Sequence, residues 1–400
     1  MDLYLQFGHG MIAHAREMVA RWLGGTVILS PRDLEPDQLN RTAQAITDRP
    51  GGNVLLDPQF YLPRADHRRL TKHAYWPSSY DSTDFYQGPK LAEMLRTLNG
   101  LNTSLACRQM ILPGLLATEV DDDWIAIHSA ILEEGNALRS DGTAVPTFAL
   151  SAEAGKATSQ IHAILDGTED WNFGTCYVVC EHPRGEYLVT DPIWLSNLLD
   201  LVAGLKLQGR HVIVGYSSHQ NLALAVVGTD AIASGTWMNV RAFPPDKFRE
   251  MDDEIKQRDT WYYCPHALSE YTLPFLDVAW RQGVIELMRP LPPISDDLVR
   301  PLFRGDQPST VGLSEQNAFR FYLHALRVQV RAAHQPSYDD TLQAQMSMLD
   351  AAAGVLGTLR AAGVSGRHRD FAQIVDVNKA ALELLNTTRG PILRREWARL

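Results

Sequence analysis

Cysteine is scarce in this chain. Cys107, Cys176, Cys180 and Cys264 are spread over 400 residues, too few and too scattered for a disulfide framework at this size. Cys176 and Cys180 stand four apart in an apolar stretch, the setting of buried thiols rather than of a metal pair. Long apolar runs are missing as well, and none approaches the roughly 20 residues of a membrane span. The first residues, MDLYLQFGHGMIAHAR, lack the basic-then-apolar order of a signal peptide, so the expected setting is the cytoplasm, with no membrane partner.

Positive charge is in deficit. A net charge of −10 and a pI near 5.7 argue against a broad nucleic-acid surface, which draws on clustered Lys and Arg. A local basic patch stays open. Arg360, Arg367, Arg369, Arg389, Arg394, Arg395 and Arg399 crowd the stretch from residue 360 to 400, a pattern more often of a solvated helical face than of a nucleic-acid site. Three motifs are also absent: G-x-x-x-x-G-K-[ST], G-x-G-x-x-G after a strand, and G-x-S-x-G. Triphosphate, dinucleotide and serine-hydrolase chemistries therefore drop out.

What is present is alternation. Eight short apolar runs, at 3–8, 26–30, 53–57, 108–113, 147–151, 176–181, 211–215 and 230–234, are separated by helix-length stretches, the mark of βαβ units and a parallel sheet. Continuous Val, Ile and Leu suits strands covered on both faces. Eight such units predict an α/β fold, a (β/α)8 TIM barrel over residues 1–245; a doubly wound sheet is the alternative. AFPPDKFREMDDEIKQRD reads as a loop and surface helix leaving the barrel, and RPLPPISDD as a linker. Residues 246–400 are expected to form a helical C-terminal extension packing on the barrel. The aromatic stretch WYYCPHALSEYTLPF reads as packing between extension and barrel, with base stacking or a partner surface as alternatives.

In a barrel, the chemistry comes from the carboxyl ends of strands and the loops that follow. Those ends supply His9, Ser30, Arg32, Asp57, Gln59, Ser151, Glu153, Glu181, His182, Tyr216, Ser217, His219, Ser234 and Asn239. Asp57 is the sharpest candidate: it closes NVLLD before the aromatic turn PQFYLP, where a carboxylate serves as general base, nucleophile or reader of a base edge, or simply caps a loop. His9 lies between two glycines in FGHGM, where backbone can approach a ligand. Glu181 and His182, with His219, are candidates to join Asp57 in an acid/base site. Neither H-x-H nor H-E-x-x-H occurs, so a metal is not expected.

Several segments together resemble the tRNA-guanine transglycosylase superfamily, including its archaeosine and DNA-deazapurine relatives. NVLLDPQFY is similar to that family's third-strand motif ending in Asp-Ser-Gly-Gly-Phe, and HVIVGYSSHQNLALAVVGTDAIAS to its seventh strand, helix and eighth strand. YYCPHALSEYTLPFLDVAWRQG resembles its Cys-rich segment running into Tyr-Ser-Arg-Ala-Tyr-Leu, and SEQNAFRFYLHALRVQVRAA its C-terminal His-Asn-Leu helix. The likeness spans residues 50 to 335 in order, and each motif is degenerate. It implies a (β/α)8 barrel that exchanges guanine in nucleic acid for a 7-deazaguanine, with Asp57 as the base-contacting aspartate.

Two departures qualify this. Ala233 holds the place of the nucleophilic aspartate, and of the structural zinc ligands only Cys264 and His266 remain, too few to close a tetrahedral site. The resemblance thus points to a divergent member that binds a purine or 7-deazapurine through His9, Asp57, Gln59, Tyr216 and His219. Asp57 and Glu181 are its candidate catalytic carboxylates, with no metal and no cofactor. Relatives of this kind occur in bacterial nucleic-acid modification and antiviral defence operons. Two other readings stay open: a non-catalytic homodimeric module that contacts a protein partner, and an unrelated barrel lyase or hydrolase using Asp57, Glu181 and His219.

Overall fold

The computed structural model describes residues 1–80, 85–139, 142–249 and 259–400. Twelve strands form among them: β1 Asp2–Gln6, β2 Gly25–Leu29, β3 Gly52–Leu56, β4 Met110–Ile111, β5 Leu116–Ala117, β6 Ala144–Val145, β7 Thr147–Leu150, β8 Thr175–Cys180, β9 His211–Val214, β10 Ala231–Ser234, β11 Trp261–Cys264 and β12 Ser269–Thr272. Eight of them make one parallel, curled sheet in the order β3-β2-β1-β10-β9-β8-β7-β5. The order runs round in a single sense, with the first strand beside the last of the eight. Reversal at a switch point, which defines a doubly wound sheet, does not occur.

Seven of the apolar runs each contain one strand of this sheet. The run at 108–113 does not, and the eighth strand, β5, follows it. The short strand β4 pairs with β6 in a separate parallel ladder, and the main sheet continues through β5 and β7. Pro113 and Pro146 fall beside these breaks, where a missing N–H interrupts a ladder. β4 lies against β3, and among the described residues no ladder joins them. The two edges are bridged by a backbone hydrogen bond from Leu116 N to the Tyr61 carbonyl at 3.1 Å.

Helices cover the sheet, and their starts follow the sequence. Asp191 accepts from the backbone N–H of Ile193 and Trp194 to cap Pro192–Leu207, with Pro192 in the first turn, where its lack of an N–H leaves nothing unsatisfied. This helix is apolar nearly all round and buried along most of its length, because it lies between β9 and the helix Val375–Thr388. Asp121 caps Asp122–Leu138 in the same manner. No described helix is long and apolar enough to cross a membrane.

The aromatic stretch after residue 260 forms the antiparallel hairpin β11–β12, with Tyr262, Tyr263 and Tyr271 buried. Tyr262 stacks on Phe321 of the helix Glu315–Ala333, ring centroids 5.6 Å apart. Of the segment expected to leave the barrel, residues 250–258 lie outside the described residues. Residues 243–248 do not leave it: Phe243, Lys247 and Phe248 are buried over the sheet.

A buried ion cluster fastens hairpin and C-terminal helices to the strand ends. Glu270, on β12, accepts from Arg241 Nη1 at 3.1 Å through both oxygens, from Arg369 Nη1 at 2.7 Å and from the Tyr187 hydroxyl at 2.8 Å. The Arg241 guanidinium also covers the Tyr322 ring, 3.4 Å from its centroid. Burial pushes the Glu270 carboxyl up, but Arg369 and Arg241 overcome it and hold the group down at about 2. Removing one partner of a buried pair leaves the other charges uncompensated, at about 3–5 kcal/mol. Glu270→Gln is therefore expected to lower unfolding free energy by about that amount in urea titrations at neutral pH. Because the folded pKa is depressed from 4.5, the wild type loses this stabilisation as pH falls from about 4.5 toward about 2. The variant lacks that segment of the pH curve.

Candidate functional site

The site grows from the turn after β3. Asp57 N donates to the Leu29 carbonyl at 3.1 Å, extending the ladder by one residue, and Pro58 then breaks it. Gln59 adopts φ +56°, a left-handed conformation that costs a side-chain-bearing residue about 1–2 kcal/mol. That turn folds the backbone over Asp57, so that Gln59 N donates to Asp57 Oδ1 at 2.9 Å. Tyr216, after β9, is left-handed too, with φ +51°, and its hydroxyl donates to Asp57 Oδ2 at 3.1 Å. The Tyr61 hydroxyl sits 2.9 and 2.8 Å from the two carboxylate oxygens.

Asp57 is only 1% exposed. Burial raises its pKa from 3.8 to about 6, with the hydrogen bonds from Tyr61, Gln59 and Tyr216 holding it back from rising further. Those tyrosines are themselves pushed well above 10, first by burial and then by the Asp57 charge. Tyr177, on β8, faces the same charge and donates to Gln6 Oε1 of β1 at 3.0 Å. Gly215 makes room for it: a Cβ there would lie 2.3 Å from the Tyr177 hydroxyl oxygen.

The network continues sideways. Gln59 Nε2 donates to Ser30 Oγ at 2.9 Å and to the Tyr216 hydroxyl at 3.2 Å, while its Oε1 accepts from Arg32 N at 2.9 Å. Ser30 Oγ donates to Asp33 Oδ2 at 2.8 Å. Above them lie Phe243 and Phe248, 4.9 and 5.0 Å from the Tyr61 ring centroid. Arg32 Nε fastens this roof by donating to the Lys247 carbonyl at 2.6 Å. Tyr61 also lines a cleft of about 450 Å3 with Leu62, Arg64, Tyr80, Leu116 and Arg249.

Of the residues predicted for the site, Asp57, Gln59 and Tyr216 come together in this network. Glu181 does not join them; it accepts from Ala152 N at 3.0 Å and bridges through its backbone to Phe243 at the rim. His9 is exposed, and its carbonyl accepts from the Trp237 indole at 3.0 Å. His219 belongs to the other buried cluster, with Tyr187, Tyr263, Tyr322 and Phe371 around its ring. Burial lowers its pKa to about 4, so it is neutral at physiological pH. His182 is likewise buried, lowered to about 4, and bonded to the Glu186 carbonyl.

Cys264 lies 3.9 Å from the Met288 carbonyl and His266 Nε2 3.1 Å from that of Arg289. Among the described residues, no three His, Cys, Asp or Glu side chains gather as a metal-binding group. The C-terminal arginines mostly face carboxylates: Arg389 pairs with Asp200, Arg394 with Asp339, and Arg395 and Arg399 with Glu396. Set against models of known protein families and against curated protein sequences, the chain matches none.

Residues 61, 243, 247 and 248 escaped the sequence reading. The spacing F-P-P-D-K-F, two aromatic residues and a lysine around a proline pair, was the available signal: it is more apolar than a solvated exit loop requires.

A carboxyl whose folded pKa is raised favours the folded state below about pH 4, and that contribution is lost as pH rises through about 6. Asp57→Asn cannot ionise. Relative to wild type it should gain up to about 3 kcal/mol between pH 4 and pH 7.5 in denaturant titrations. A difference that does not change with pH would place the Asp57 pKa at its ordinary value. Gly215→Ala, which crowds a tyrosine fixed on a buried strand, is expected to destabilise by about 1–3 kcal/mol in the same assay.

Proposed function

We propose that this chain is a divergent transglycosylase-like protein on a closed (β/α)8 barrel, binding a purine or 7-deazapurine base at the carboxyl ends of its strands. The observation that carries this is the Asp57 carboxylate, buried among tyrosine rings and satisfied by hydroxyl and amide donors rather than by a cation. A guanine-type edge presents adjacent N–H donors, which two carboxylate oxygens accept as a pair. In the ligand-bound state those donors replace the Tyr61 and Tyr216 hydroxyls. The flat ring then lies among Tyr61, Tyr216, Phe243 and Phe248, where aromatic faces favour stacking.

The cleft beside Tyr61 supports the same reading. Its volume lies in the range of small-molecule sites. Action on nucleic acid, in modification or in defence, follows from this reading together with the sequence resemblance; a homodimer is its expected assembly.

The test is a melting-temperature screen of wild type and Asp57→Asn against guanine, 7-cyano-7-deazaguanine, 7-aminomethyl-7-deazaguanine and queuine. A ligand that binds only the folded state raises the melting temperature. Stabilisation of the wild type by one of these bases, lost in Asp57→Asn, is the expected result. No response to any of them overturns base binding and directs attention to a protein partner.

A further inference from the structure

Lys247 stands in the roof of the site with a side chain only 4% exposed. Its ammonium nitrogen makes no hydrogen bond. Asp33 Oδ2 is 3.4 Å away, a charge contact, and both Asp33 oxygens are already engaged, Oδ2 by Ser30 and Oδ1 by Arg32 Nη1 at 3.1 Å. The same nitrogen lies 5.8 Å from the centroid of the Tyr216 ring, whose hydroxyl holds Asp57.

The nucleophile question is open at this site. Ala233 supplies no carboxylate from β10. Asp57 has its oxygens committed to Gln59 N and the hydroxyls of Tyr61 and Tyr216, and a carboxylate so hydrogen-bonded is a poor attacking group. A lysine without hydrogen bonds in a desolvated setting is the opposite, because its lone pair becomes available once the nitrogen is neutral. Burial lowers the Lys247 pKa, and the Asp33 charge only partly restores it.

We propose that Lys247 is the nucleophile of this site, forming a covalent carbon–nitrogen bond to the anomeric carbon of a nucleoside unit as the base departs. The inference rests on the base-binding reading above. In the step, the neutral amine donates its lone pair to C1′ while the bond from C1′ to the base nitrogen breaks with its electron pair. The amine nitrogen loses one proton and the departing base nitrogen gains one. Lys–NH2 and sugar–base thus become Lys–NH–sugar and H–base, with no oxidant or reductant. Release of the ring oxygen converts the adduct into a protonated imine; a second base, losing its N–H proton, or water then adds to C1′, and the sugar hydroxyl closes the ring again as the bond from C1′ to the lysine nitrogen breaks and the departing amine takes up the hydroxyl proton. An amine intermediate of this kind provides base exchange without a carboxylate on β10.

The state after base departure has a defined stand-in. A single-stranded oligodeoxynucleotide with one abasic site carries C1′ as an aldehyde; an amine condenses with it, losing water, and sodium cyanoborohydride fixes the imine as a secondary amine. Full-length wild type, Lys247→Arg and Lys247→Met are incubated with this probe and reductant, and the adducts located by peptide mass spectrometry. The chain has only seven lysines, so the map is unambiguous. A wild-type adduct at Lys247, lost in both Lys247 variants, is the expected result. Lys247→Arg keeps a cation opposite Asp33, so its melting temperature separates lost chemistry from lost folding.

Adducts confined to exposed lysines such as Lys72 and Lys156, each 52% exposed, overturn the proposal. If wild type and Lys247→Arg are both stabilised by a deazaguanine while Lys247 carries no adduct, the amine falls and base binding stands. If Lys247 carries the adduct and no base stabilises the protein, the amine stands and base binding falls.

Discussion

Keeping the Asp57 carboxylate out of water with no cation hydrogen-bonded to it is the constraint around which the strand ends are arranged. An unsatisfied buried charge costs several kcal/mol, so donors must reach it from several directions. They come from the turn after β3 and from the end of β9, and two of the donating residues, Gln59 and Tyr216, adopt left-handed backbone to do so. Gly215 is small because Tyr177 occupies the space beside it. Local strain here is the cost of aiming polar groups inward.

Glu270 solves the same problem by other means. Two guanidiniums face it, and its pKa falls to about 2 while that of Asp57 rises to about 6. One carboxyl is therefore permanently charged and serves to dock the C-terminal helices. The other is pushed up by burial to about 6, close to the physiological range. Both are buried, and the main difference is the two guanidiniums that face Glu270 against the neutral donors around Asp57.

The eight apolar runs were legible because parallel strands covered on both faces read as continuous Val, Ile and Leu. Asp57 stood out because it ends such a run. Its partners were partly legible: Gln59 and Tyr216 lie at strand ends, where a barrel puts its chemistry. His219 also follows a strand, yet its ring turns toward Tyr263 and Phe371 of the extension, a choice made by tertiary packing and invisible to spacing. Glu181 spends its carboxylate on the Ala152 amide. The roof was misjudged because Asp246, Lys247 and Arg249 look like solvent-facing charge, whereas the Lys247 backbone and side chain are both drawn inward by Arg32 and Asp33.

The seam between β3 and β5 has a mechanical meaning. Elsewhere round the sheet, neighbouring strands are held by paired ladders of two to five residues, whose bonds resist separation together. Between these two edges, among the described residues, the backbone link is the bond from Leu116 to Tyr61, worth about 1 kcal/mol. Compliance is therefore concentrated in the wall that carries Tyr61, and the sheet can dilate there without unzipping a ladder. The weakly joined seam is thus set beside the buried carboxyl of Asp57, which closes the β3 edge.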